Sequence, residues 1–167
     1  MDSIIEAQGA LNTFLEGLYS VDDTVFFFIC LGVQRILWKR WWHLTDAEKA
    51  RVVQVISDLL QTKSKSIQKF ARRKLEQVMA IACAQLGTLD PVVAVLQGLN
   101  GTDENADAEA VTLSLSLLRS ILDDVLDTKD PRMGPAQQQK AAAAAAGMVQ
   151  PATLLACTTL QRTMQTM

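Results

Sequence analysis

Histidine is almost absent from this chain: His43 is the single copy in 167 residues. With one imidazole and three cysteines set far apart among apolar residues, a nucleophile, its base and an orienting group cannot be assembled, so an enzyme is not expected. Cys30, Cys83 and Cys157 are odd in number and lack metal-ligand spacing, which reads as reduced packing thiols instead of a disulfide or zinc site. No glycine-rich loop ends in Lys-Ser or Lys-Thr, and Gly98 and Gly101 have neither nearby, so no phosphate cradle and no cofactor are expected. Long hydrophobic runs are missing as well. Val25 to Val33 is apolar throughout but far short of the roughly 20 residues of a spanning helix, and Gln34, Arg35, Lys39 and Arg40 follow it. The start carries Asp2 and Glu6 where a secretory signal would be basic. The expectation is an intracellular protein with no membrane partner.

What the chain does have is a 49% hydrophobic composition, enough for a core, and a net charge of −2 that hides strong segregation. Residues 1–34 carry five acids and no Lys or Arg; residues 35–74 carry eleven basic residues against three acids, a net of +8. Residues 75–131 reverse this to −8, with only Arg119 and Lys129 opposing ten acids, and the tail adds Arg132, Lys140 and Arg162. Bands of opposite sign along a stack of helices suit protein partners of complementary potential better than a long nucleic acid. Ordinary solvated helix faces would give the same pattern.

Apolar periodicity and capping residues predict helices over 3–19, 23–42, 46–61, 67–86, 91–99, 107–127, 136–147 and 151–165, with no competing strand pair. Thr45-Asp46-Ala47-Glu48 has the form of a capping box, in which the threonine hydroxyl accepts from a first-turn amide and the glutamate reaches back. Val52, Val55, Ile56, Leu59 and Leu60 then recur at helical spacing, until the Thr62-to-Ser66 stretch breaks the pattern. Ser66 is placed to cap the next helix, with Ile67, Phe70, Ala71, Leu75, Val78 and Ala82 as its buried stripe and Lys65, Lys69, Arg72, Arg73 and Glu76 away from it. Asp22 or Asp23 caps the helix at 23, Asp90-Pro91 opens the one at 91, and Asn100-Gly101 closes it. Residues 100–106 and 128–135 read as loops. Ala141 to Ala146 is an alanine run of high helix propensity and little area to bury, either a closely packed helix or a poorly ordered insertion.

These helices pair as hairpins with centres about 40 residues apart, a HEAT-type spacing. The fold class expected is all-α, a right-handed α-α superhelix of HEAT/ARM type, with repeats over 1–135 and an alanine-rich helical tail over 136–167 that begins further repeats. The helices at 23–42 and 107–127 have apolar residues on more than one side, as packing against both a partner and a neighbouring repeat requires; a four-helix bundle would do the same. Polar end caps, which terminal repeats need, are not evident, so the chain is expected to be a piece of a longer protein.

The stretch from Phe26 to Gln85 joins an apolar helix ending in Trp38-Lys39-Arg40-Trp41-Trp42, a capped connection, VISDLL at 55–60 and FARRKLEQVMAIACAQ at 70–85. It resembles the exportin/importin-β-like region of nuclear transport receptors. The likeness covers about 25–127, and Arg72, Arg73, Lys74 and Leu75 supply the basic-leucine core that the family carries in this helix. The resemblance implies an exportin-type carrier found in nucleus and cytoplasm that binds a protein cargo together with the GTP-bound form of the small GTPase Ran. Both ligands would favour the same curvature of the superhelix and so raise each other's affinity. Part of the family's Ran-contacting surface lies upstream of the matched region, which implies weak or no Ran binding by this chain alone.

The candidate partner-binding residues are Lys65, Lys69, Arg72 and Arg73, a cationic ridge that can meet an acidic partner, or else a solvated helix face. Trp38, Trp41 and Trp42 either form an aromatic groove for a peptide or pack between helices. His43 follows them at a helix end, where it can cap carbonyls. Asp123, Asp124, Asp127 and Asp130 lack calcium-loop spacing and read as a solvated helix end. Nucleic-acid binding is disfavoured by an isoelectric point near 5.4 and by the acids between 103 and 130. In order, the readings are a transport-receptor segment, a HEAT-type protein-interaction scaffold without transport activity, and an RNA-binding helical module.

Overall fold

The computed structural model describes residues 9–19, 22–100, 108–126 and 135–166, and these are helical throughout apart from short turns, with no strand among them. The helices are α1 (Ala10–Gly17), α2 (Asp23–Arg40) with a 3-10 turn at Trp41–His43, α3 (Asp46–Thr62), α4 (Lys69–Leu86), α5 (Asp90–Asn100), α6 (Ala108–Leu126) and α7 (Pro135–Thr166). An all-α fold follows directly. The chain divides into two compact units, Met1–Ala82 and Cys83–Met167, with the boundary in the last turn of α4.

In the first unit α1 runs antiparallel to α2, and the two backbones approach closely because glycines face side chains at the crossing. A Cβ on Gly32 would lie 2.9 Å from the ring tip of Phe14, and one on Gly17 would lie 3.0 Å from Cδ1 of Ile29. Around this contact Leu15, Leu18, Phe26, Ile36, Leu37, Ile56, Leu59, Leu60, Leu75 and Met79 are fully buried. Each such side chain removes about 1.5–3 kcal/mol of apolar surface from water. Polar links tie α1 to α3: Arg51 Nη2 donates to Glu16 at 3.2 Å, Tyr19 Oη donates to Asp58 at 3.2 Å, and Lys63 Nζ donates to the carbonyls of Leu18 and Tyr19. Burial and the Asp58 carboxylate both raise the Tyr19 pKa above its ordinary value.

The caps follow the sequence at two starts and depart from it at a third. Asp22 accepts from the amides of Thr24 and Val25, and Thr45 with Glu48 closes the full capping box. Ser66 does not cap α4. Its hydroxyl donates to the Lys63 carbonyl inside the turn, and the amide of Gln68, just before the helix, donates to the Asp23 carboxylate at 2.9 Å. A carboxylate brought in by the start of α2 outcompetes the local hydroxyl, because an ionised acceptor makes the stronger hydrogen bond to an orphan amide. At the far end, the amides of Gly87 and Thr88 both donate to the Cys83 carbonyl, with Gly87 at φ 71°. The Thr88 bond is the six-to-one bond of a Schellman closure and the Gly87 bond the five-to-one bond of an αL cap, with glycine taking the left-handed position without Cβ strain.

In the second unit α5 packs on α6 and α6 on α7. The two helices expected at 136–147 and 151–165 are one, Pro135–Thr166, continuous through Gly147 and Pro151. Proline's fixed φ is compatible with a helix, and the helix continues through Pro151 at the loss of one backbone hydrogen bond. The expected loops at 100–106 and 128–135 lie almost wholly outside the described residues, as do Asp127 and Asp130.

Candidate protein-docking surface

Three consecutive phenylalanines on a helix sweep about 200° of its circumference, since neighbours are about 100° apart, so no single buried stripe can hold them all. The structure resolves this by direction. Phe26 is buried, Phe27 is half-buried, and Phe28 stands out at 54% exposure, one turn from the exposed Val25. Phe27 is the hinge of a surface aromatic cluster: its ring centre is 5.7 Å from that of Phe28, edge-on, and 5.8 Å from that of Phe70 on α4. Phe70, expected in the buried stripe, is instead 44% exposed. It occupies the first turn of α4, and its apolar surface is shared with Phe27 and with solvent.

Cations border this cluster. Lys74 places its Nζ 5.5 Å from the Phe27 ring centre and donates to Gln34 on α2 and to Gln77. Lys69 immediately precedes Phe70 and is exposed, and Arg73 follows it by one turn on α4. Lys65 lies exposed in the turn between α3 and α4.

The four residues of the expected ridge are therefore not equivalent. Lys65 and Lys69 face water, whereas Arg72 and Arg73 lean towards Glu76, with Arg72 Nε and Arg73 Nη1 each 3.9 Å from its carboxylate oxygens. Arg72 also donates to the Ser64 carbonyl at 3.3 Å. Glu76, which the sequence placed on the outer face, has a side chain only 3% exposed. It is buried because two guanidinium groups supply the compensating charge that a carboxylate needs away from water. Phe27, Phe28 and Glu76 were missed by sequence reasoning, and the signal for the first two was the run of phenylalanines itself.

The other candidates separate cleanly. Trp38 and Trp41 are buried in packing, and Lys49 sits 5.5 Å over the Trp41 ring, while Trp42 is exposed. No three-tryptophan groove forms. His43 is exposed in the 3-10 turn. Asp123 pairs with Arg119 across one helical turn at 3.8 Å on a solvated surface, and no group of three His, Cys, Asp or Glu suited to a metal ion occurs among the described residues.

Two of the cysteines are buried, and burial pushes both thiols up to about 12: Cys30 against an opposing pull from Lys74, and Cys83 with a smaller contribution from Asp90. Neither is poised as a nucleophile. Cys157 departs from the expected packing role and is exposed on α7.

No described helix is long and apolar enough to cross a membrane. Compared with known proteins, the chain matches no family model, no curated protein and no solved structure.

Proposed function

We propose that this chain is a non-enzymatic, protein-binding helical segment of the exportin type, part of a right-handed HEAT-like superhelix that carries a protein cargo together with GTP-bound Ran between nucleus and cytoplasm. The observation that carries the protein-binding reading is the aromatic cluster of Phe27 with the exposed Phe28 and Phe70, with the Lys74 ammonium 5.5 Å from the Phe27 ring. Aromatic side chains supply large contact area at small entropic cost and form the anchors of most interfaces, and neighbouring cations select and steer an acidic partner. Support for the transport role is the likeness of residues 25–127 to the receptor family. The role requires no covalent chemistry: the two ligands are coupled by favouring one curvature of the chain.

Immobilised chain, titrated to roughly 100 µM to capture weak affinities, tests this against Ran loaded with a non-hydrolysable GTP analogue and against its GDP form. Binding selective for the GTP form, and weakened by Phe28→Asp and by Lys69→Glu, is the expected result. Equal binding of the two forms refutes the transport role and leaves a helical scaffold; GTP-selective binding indifferent to both substitutions refutes the assignment of the surface.

A further inference from the structure

Where α3 passes into α4, the hydroxyls of Thr62, Ser64 and Ser66 alternate with Lys63 and Lys65. Their hydrogen bonds rank them. Thr62 Oγ1 donates to the Asp58 carbonyl at 2.8 Å, inside the last turn of α3. Ser64 is 3% exposed; its hydroxyl donates to the Leu60 carbonyl, and its own carbonyl accepts from Arg72 Nη1. Ser66 is exposed and lies outside both helices. Its hydroxyl donates to the Lys63 carbonyl at 3.1 Å, and that oxygen also accepts the amides of Ser66 and Ile67 at 3.0 Å each. Swinging the hydroxyl outwards therefore leaves the carbonyl satisfied and costs about 0.5–1.5 kcal/mol, the net worth of one hydrogen bond. Thr62 is held in helical backbone, and Ser64 comes out only by opening the turn. Charge favours the same residue. Ser66 is the one serine or threonine in the chain with a basic residue three before it, immediately before it and three after it: Lys63, Lys65 and Lys69. Lys63 Nζ is turned to the carbonyls of Leu18 and Tyr19, so Lys65 and Lys69, both exposed, present the charge.

We propose that Ser66 is a phosphorylation site for a serine/threonine kinase that selects basic flanks. A kinase takes its acceptor from an extended or turn segment, because the hydroxyl has to reach the γ-phosphate of ATP inside a cleft, and substrate charge pattern is a main source of kinase selectivity. In the transfer, Ser66 Oγ bonds to the γ-phosphorus, the bond from that phosphorus to the β,γ-bridging oxygen breaks, ADP departs, and the hydroxyl proton passes to the kinase's catalytic aspartate. The product carries about −1.5 to −2 charge at pH 7. That charge offsets Lys65 and Lys69 beside Phe70, and it adds a second anion near the Asp23 carboxylate that holds the Gln68 amide. Modification therefore opposes an acidic partner at the aromatic cluster. This consequence rests on the docking reading above, and the assignment of the acceptor does not.

The test incubates the full folded chain with Mg-ATP and either the catalytic subunit of cAMP-dependent protein kinase or the catalytic fragment of protein kinase C, and reads intact and tandem mass spectra. A single phosphate, on Ser66, is expected from at least one of these kinases. Ser66→Ala should lose it, and Thr62→Ala and Ser64→Ala should keep it. Lys65→Glu combined with Lys69→Glu should slow incorporation by on the order of tenfold, since it reverses the charge pattern the kinase reads. Far-UV circular dichroism verifies that each variant is folded, as the exposed position of Ser66 predicts for Ser66→Ala. No incorporation from either kinase, a phosphate that persists in Ser66→Ala, modification of the wild-type chain chiefly at Ser64 or Thr62, or a rate indifferent to the lysine reversals overturns the proposal. The mass is read without any docking partner, so failure here is distinct from failure to bind Ran.

Discussion

Placing a methyl group on Gly32 sets two opposed effects against each other at the α1–α2 crossing. Alanine is better than glycine in a helix interior by about 1 kcal/mol, because the unfolded glycine backbone has more freedom to lose. The new Cβ would, however, lie 2.9 Å from Cζ, 3.0 Å from Cε1 and 3.2 Å from Cε2 of Phe14. Carbon atoms rest at about 3.5–4.0 Å, so the ring must retreat by roughly half an ångström or more, and overpacking of this kind costs about 1–3 kcal/mol. Three ring atoms are met at once, so rotating the ring about its own axis gives little relief, and α1 itself has to shift. The expected net effect of Gly32→Ala is a loss of about 1 kcal/mol. With Phe14→Ala as the background the clash is gone and only propensity remains, so the same substitution should stabilise by about 1 kcal/mol. The coupling between the two positions is then about 2 kcal/mol. Urea unfolding followed by tryptophan fluorescence measures it, since Trp38, Trp41 and Trp42 all lie in the first unit. A stabilising Gly32→Ala in the wild-type background, or the same effect in both backgrounds, refutes the claim that glycine is there to admit Phe14.

Replacing Glu76 by Gln keeps the shape but strands the guanidinium groups of Arg72 and Arg73. Removing one partner of a buried ion pair costs about 3–5 kcal/mol, and because the two arginines are partly exposed, roughly 1–3 kcal/mol is expected, visible as a lower urea midpoint in the same fluorescence assay. An unchanged midpoint would mean that the carboxylate is not what organises that turn of α4. The thiols give a chemical check: at neutral pH a thiol reagent should titrate Cys157 quickly and Cys30 and Cys83 only on unfolding. Both buried thiols have folded pKa values raised to about 12 from an ordinary 9, so the stabilising neutral form is fully present below about pH 9. Stability is then lost as pH rises from about 9 towards 12, with a slope of up to about 1.4 kcal/mol per pH unit for each thiol. Alanine at position 30 should flatten that slope, and an equally steep loss in the variant would exclude Cys30 as a source of it.

Local chemistry was legible in the linear chain. Thr45 with Glu48, Asp22 before its helix, and the recurrence of Val52, Val55, Ile56, Leu59 and Leu60 are short-range facts, since capping and periodicity act within a turn or two; each appears where residue order places it. The helical class follows from the sum of such signals. Tertiary contact decided what happens when one residue has more than one place to go. Asp23, from far along the chain, supplies the acceptor near the start of α4 that Ser66 was positioned to give. Glu76 goes inside because Arg72 and Arg73 converge on it, and Phe70 stays at the surface because Phe27 meets it there. Hydrophobicity alone ranks Phe70 inside and Glu76 outside. The inversion arises because burial is decided by what the neighbours offer, a compensating charge in one case and an unfilled aromatic edge in the other, and neighbours from distant helices are not encoded at any fixed spacing along the chain.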